Sequence, residues 1–224
     1  MCGRFTVKDN SNLRQYYKNL DVHLETRCNI APTENIFLVH DDKTEVARWW
    51  LTPSWAKEIS QKYSMFNARC ESLASSAAFK KPFRAQRGIV PMSSFIEWRT
   101  RGAEKQPWSI TNAEEAIAVA AIWDLWQQGD KTLLSCALVT TAAATAFKPW
   151  HNRMPVMLTH EESERWLDNH TEVAADDALF NPVLKFPLRL APLDKAVGNA
   201  RNKDPALMTS TGQIVELYPD KHKA

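Results

Sequence analysis

The sequence predicts an α+β fold whose body is antiparallel strand and whose helices are few and peripheral. Three observations carry this reading. Short apolar runs occur in pairs around turn-forming residues: NIFLVH and TEVARWW flank Asp41, Asp42 and Lys43, and AIAVAAIWDLW and TLLSCALVTT flank QQGDK. Helical signals are confined to two places. Ser11 precedes Leu13, Tyr16, Tyr17 and Leu20 at helical spacing, and the run from Thr159 to Glu162 forms a capping box ahead of Trp166 and Leu167. Finally, no internal repeat, low-complexity tract or Gly/Ser linker divides the chain, and its 12 prolines are spread along it.

Taken in order, CGRFTV opens the chain as a strand and Ser11 caps the first helix. The two hairpins follow, and the second is the longest and most apolar, so it is expected to be the most buried. FNARCE reads as a charged turn, FIEWR as strand, and Thr159 starts the second helix. A chain of 224 residues with 44% hydrophobic content is large enough for one well-buried core. One domain over residues 1–224 is expected, its last few residues a flexible tail.

Charge and cysteine usage narrow the function classes. Against 28 basic residues stand 26 acidic ones, a net charge of +2, so any nucleic-acid surface has to be a local patch. The N-terminal MCGRFTVKDN turns polar too soon for a signal peptide, and no apolar stretch approaches a membrane span, which makes the cytoplasm the expected location. Cys2, Cys28, Cys70 and Cys136 are scattered, with no CxxC pair; they are expected to be reduced thiols, with no metal and no other cofactor. The 9 tryptophans are expected in the core or on groove walls.

Candidate chemistry begins at Cys2. Removal of Met1 would leave an α-amine and a thiol on one carbon framework, a 1,2-aminothiol. The amine, with a reference pKa of about 7.7–8.0, is partly neutral near pH 7. With an aldehyde it forms an imine, and the thiol then closes a five-membered thiazolidine by proximity. The plainer alternative is a small residue at the start of a strand. In FNARCE, Asn67 could orient a ligand and Arg69 hold a phosphate beside Glu71. Glu97, between Ile96 and Trp98, could be desolvated into a general acid or remain an exposed strand carboxylate. His151, in HNRMP with Arg153, is the histidine best placed to move protons.

In this order, MCGRF, RCNIAPT, NARCE, SFIEW, HNRMP and AVGNARNKD resemble the SRAP family of abasic-site sensors across nearly the whole chain. The resemblance implies a barrel-like core with peripheral helices and a monomer that binds single-stranded DNA. It assigns Cys2 the crosslink to the abasic-site aldehyde in the DNA-damage response, and places Asn67, Glu97 and His151 among the catalytic residues. Arg4, Arg69 and Arg153 match DNA-backbone contacts, and Pro32 and Trp55 groove-lining positions. The chain departs from the family pattern at Trp50, where glycine is expected, at Ser94, also in place of glycine, and at Asn152, in place of aspartate; the last bears on the orientation of His151. Two alternatives remain: an N-terminal-nucleophile peptidase using Cys2, and a non-catalytic module that binds single strands through its tryptophans and arginines.

Overall fold

The computed structural model describes residues 2–18, 25–113 and 115–220. Among these, strands dominate: β1 (Phe5–Val7), β2 (Arg27–Ile30), β3 (Asn35–His40), β4 (Lys43–Trp49), β5 (Asn67–Arg69), β6 (Arg87–Met92), β7 (Ser94–Arg101), β8 (Glu104–Asn112), β9 (Ile117–Gln128), β10 (Lys131–Ala142), β11 (Arg153–Pro155), β12 (Met157–Leu158), β13 (Leu188–Pro192) and β14 (Val215–Leu217). The α-helices are α1 (Ser11–Arg14), α2 (Lys80–Ala85) and α3 (His160–Leu167). The α+β class is as expected, and the barrel-like core is real: β10, β4, β3, β6 and β9 pair in turn, and β9 returns to β10 to close the ring. A six-stranded sheet, ordered β14-β13-β8-β7-β1-β2, lies beside it.

Closing a barrel of five strands brings backbones close. Gly88 marks the tightest crossing, since a Cβ there would lie 2.8 Å from the Val39 carbonyl oxygen, next to the Val39–Ile89 pairing of β3 with β6. The long hairpin of β9 and β10 forms two neighbouring strands of the ring, and every residue from Ile117 to Ile122 is fully buried. The first hairpin turns on Asp41 and Asp42, at φ 45° and 58°, a two-residue turn that puts Lys43 inside β4. Gly129 (φ 56°) and Asp130 do the same between β9 and β10, so the flanking glutamines and Lys131 belong to strands.

Two helical expectations fare differently. At α3 the capping box forms in full: the Glu162 N–H donates to Thr159 Oγ1 at 3.2 Å, and the Thr159 N–H donates to Glu162 Oε2 at 2.9 Å. Trp166 on this helix is fully buried, its indole N–H donating to the Gly88 carbonyl at 2.8 Å. At α1 the cap is Asn10, not Ser11, because the Asn10 carboxamide reaches the Leu13 N–H at 2.8 Å while Ser11 is already helical. That helix spans only Ser11–Arg14, and Leu20 lies outside the described residues. So do residues 221–224, on which the expected tail falls.

Arg87 joins α2 and α3 to the barrel. It is 1% exposed, and its guanidinium donates to the carbonyls of Phe83, Arg84, Trp166, Asp168 and Thr171. Five N–H groups thus meet five carbonyls, several of them at helix C-termini where backbone acceptors lack partners and the dipole favours a cation. The four cysteines are buried free thiols. Among the described residues, no helix is long and apolar enough to cross a membrane.

Candidate functional site at the N-terminus

The site forms where β1, β5, β7 and the segment before β11 meet. Cys2, just ahead of β1, is fully buried. Two contacts fix this end of the chain: the Asn67 carboxamide donates to the Cys2 carbonyl at 2.8 Å, and the Ile96 N–H donates to the Arg4 carbonyl at 2.8 Å. The first ties Cys2 to β5, and the second ties Arg4 to β7, one residue before Glu97. Asn67 Oδ1 is buried with no donor among the described residues, leaving an acceptor beside the backbone of Cys2.

Strand β10 organises the other half. Its Leu138–Thr140 stretch pairs with Asn67–Arg69 of β5, and its Thr140–Ala142 stretch pairs with β11. Asn67 and Arg153 are thereby held on two neighbours of one strand. His151 precedes β11, and its Nδ1 lies 2.9 Å from both the N–H and the carbonyl oxygen of Arg153. The ring therefore finds a partner whether Nδ1 is bare or protonated. Asn152 is exposed and takes no part in this contact, so the departure at that position leaves the imidazole held by backbone.

Burial sets the electrostatics. Glu97 is 2% exposed rather than a solvated strand carboxylate, and desolvation pushes it up to about 7, with the charge of the chain's amino terminus the largest opposing influence. Desolvation pushes the Cys2 thiol well above its ordinary range, and the charge of Glu97 adds to this. The His151 imidazole is held below its ordinary value, again chiefly by burial. At neutral pH the site thus holds a neutral thiol, a neutral imidazole and a carboxyl near half-protonation. Cys2, Asn67, Glu97 and His151, far apart in sequence, are brought together.

The other anticipated residues are placed more variously. Arg69 is exposed and makes no ion pair among the described residues. Arg153 is held by both oxygens of Glu71, at 2.5 and 3.0 Å, and donates to the Thr140 carbonyl at 2.8 Å; the pairing pulls Glu71 down to about 2. Arg4 faces inward, its guanidinium donating to Asn29 Oδ1 and the Val197 carbonyl at 2.9 Å and to the Gly198 carbonyl at 3.3 Å. Pro32 is half-buried in the turn after β2, beside Thr33, whose φ of 80° is one that a β-branched residue adopts only under constraint. Trp55 is 65% exposed on the loop after β4, in an apolar depression shared with Tyr63. Trp50, the bulky departure, packs against Phe66 at 5.5 Å, and Ser94 is buried in β7 opposite Thr6.

Sequence reasoning missed Asn29. Buried at φ 53°, it receives Arg4 and sends its amide to the carbonyls of Val197, Asn199 and Asn202 at 3.0 Å each, while Lys203 donates to its own carbonyl at 2.8 Å. RCNIAPT and AVGNARNKD are thus two halves of one clamp that seats Arg4. Also missed was Arg99, two residues beyond Glu97, whose guanidinium lies over the Trp150 ring at 4.6 Å.

In this two-sheet scaffold with a closed barrel, a cysteine at position 2 lies buried with a carboxyl, an imidazole and a carboxamide around it. The chain belongs to the SOS response associated peptidase (SRAP) family, whose model matches residues 1–200. It is 30% identical over 225 residues, 94% of this chain and all of the relative, to the abasic site processing protein YoqW of Bacillus subtilis. With the abasic site processing protein YedK of Escherichia coli it shares 28% identity over 231 residues, 93% of this chain and 99% of the relative. A crystal structure of a protein from Bacteroides thetaiotaomicron has the same fold, with a TM-score of 0.83 at 22% identity, covering 93% of this chain and 99% of that one.

Proposed function

We propose that this protein binds single-stranded DNA at abasic sites as a monomer and bonds to them through Cys2 once Met1, which lies outside the described residues, has been removed. The observation that carries the proposal is the burial of Cys2 with its carbonyl held by Asn67 and with Glu97 and His151 alongside. An abasic sugar rests mostly as a cyclic hemiacetal. Protonated Glu97 gives a proton to the ring oxygen while neutral His151 accepts one from the anomeric hydroxyl, and the aldehyde opens. The Cys2 amine adds to the aldehyde carbon and water leaves as the imine forms. The thiol sulfur then bonds to the same carbon as the C=N π pair moves onto nitrogen, which takes up the proton the thiol gives up, closing the thiazolidine. Asn67 Oδ1 is an acceptor for the incoming amine or a sugar hydroxyl. Arg4, Arg69 and Arg153 serve the phosphates, Arg153 exchanging part of its contact with Glu71 for DNA. Pro32 and Trp55 support unstacked bases.

The state of the thiol favours this route over amide hydrolysis. A cysteine peptidase attacks with a thiolate, whereas burial and Glu97 keep Cys2 protonated. In the aldehyde route the amine attacks first, and the sulfur enters only after an electrophilic imine is in place. The names of the relatives cited above are in keeping with an abasic-site role. The test is a denaturing gel: protein lacking Met1 gives a slow-migrating adduct with an abasic single-stranded oligonucleotide and none with intact DNA of the same sequence. Cys2→Ser gives an adduct only when borohydride is present to trap the imine. A wild-type adduct that also forms on intact DNA, or no adduct at all, contradicts the proposal.

A further inference from the structure

We infer that Arg99, lying over Trp150, is an additional phosphate-binding residue for the single-stranded DNA that occupies this site; the inference rests on the DNA-binding reading above. Arg99 follows Glu97 by two residues on β7, so the two side chains leave the same face of the strand about 7 Å apart. Its guanidinium carbon lies 4.6 Å from the centre of the Trp150 ring, and Trp150 immediately precedes His151. Arg99 is thereby tied at both ends to the catalytic pair.

The arginine carries an unspent charge. Among the described residues no carboxylate pairs with it and no hydrogen bond engages its five N–H groups, in contrast to Arg4, Arg87 and Arg153. Partial burial holds its pKa below the ordinary value, and the like charge of Arg101 adds to this. A half-buried cation without a counter-ion is costly unless something restores the lost solvation. The indole face does so in part, by cation–π attraction, which uses none of the N–H donors and leaves them for a ligand. A planar fork with open donors suits a phosphodiester. Trp150 is itself buried in an edge-on contact with Trp108 at 5.8 Å, so the platform is packed from behind.

Anisotropy titrations of an intact single-stranded oligonucleotide across a salt series test this. Each phosphate contact to a single strand contributes about 0.7 to the slope of log affinity against log salt. Arg99→Ala and the bulkier Arg99→Gln are each expected to lower the slope by about that amount, whereas Arg99→Lys keeps it. Lys131→Ala serves as the control, since Lys131 lies at the far end of β10, about 30 Å along the strand from Thr140. An unchanged slope in folded Arg99→Ala and Arg99→Gln, or an equal loss in Lys131→Ala, overturns the assignment. Absence of salt-dependent binding by the wild type overturns the DNA-binding reading itself, a result separate from either.

Discussion

Replacing Glu97 with glutamine is expected to slow adduct formation at saturating abasic DNA by about 10²–10⁴-fold, the usual worth of general acid–base help. Glutamine preserves the shape of a side chain that is 2% exposed but can neither give nor take a proton. The pH dependence identifies the role. With the carboxyl at about 7, the wild-type rate should fall above neutral pH as Glu97 loses its proton, and fall at lower pH as the Cys2 amine and His151 become protonated. Glu97→Gln should lose the alkaline limb and retain the acid one. Stability supplies an independent check. The folded-state pKa lies above the reference of about 4.3, so the protonated carboxyl supports the fold fully below that value, and the support fades as pH rises through about 7. The Gln variant should therefore gain on wild type in melting temperature between pH 4 and pH 8. Equal rates for the two proteins across this range would remove Glu97 from the mechanism.

The second large effect concerns the scaffold. Arg87→Met should destabilise the protein by roughly 4 kcal/mol, because the methionine fills much of the volume but leaves the two fully buried carbonyls, of Phe83 and Trp166, without a donor at about 1–3 kcal/mol each, while the other three lie nearer to water. For a chain of this length that corresponds to a melting temperature lower by about 8–16 °C. Arg87→Lys should recover little, since an ammonium has three donors on a point charge where five carbonyls are spread around a fork. Denaturant unfolding monitored by tryptophan fluorescence reads the change directly. A loss below about 1 kcal/mol in Arg87→Met would mean that water or rearranged backbone serves those carbonyls instead.

Much of the fold was legible because its signals are local. The capping box at Thr159 satisfies its own N–H groups, and the β3–β4 and β9–β10 hairpins carry their apolar runs and turns within continuous stretches of 15 and 26 residues. The cap at α1 was misread by one residue because Asn10 and Ser11 are both good capping residues and only the backbone decides between them. Closure of the barrel was beyond local reading, since β10 pairs in parallel with β4 and β5 through contacts distant in sequence. For the site, residue chemistry nominated Cys2, Asn67, Glu97 and His151, and the family resemblance tied them together. Burial of Glu97 could not be read from FIEWR, because strand alternation alone does not say whether one face or both are covered. Asn29 escaped notice for a similar reason: its role exists only once residues 197–203 fold back over β2.

On the proposed mechanism the bond to DNA is made by the amine and thiol of Cys2 together, and mass spectrometry of the adduct distinguishes this from any other linkage. Protein lacking Met1, incubated with an abasic single-stranded oligonucleotide and left unreduced, should give a species whose mass is the sum of the two partners less one water, with the linkage on the N-terminal Cys2 peptide. Borohydride added after the reaction should leave that mass unchanged, since a closed thiazolidine holds no C=N bond. A linkage on a lysine, a gain of two hydrogens on reduction, or equal crosslinking by protein that keeps Met1 would contradict the account.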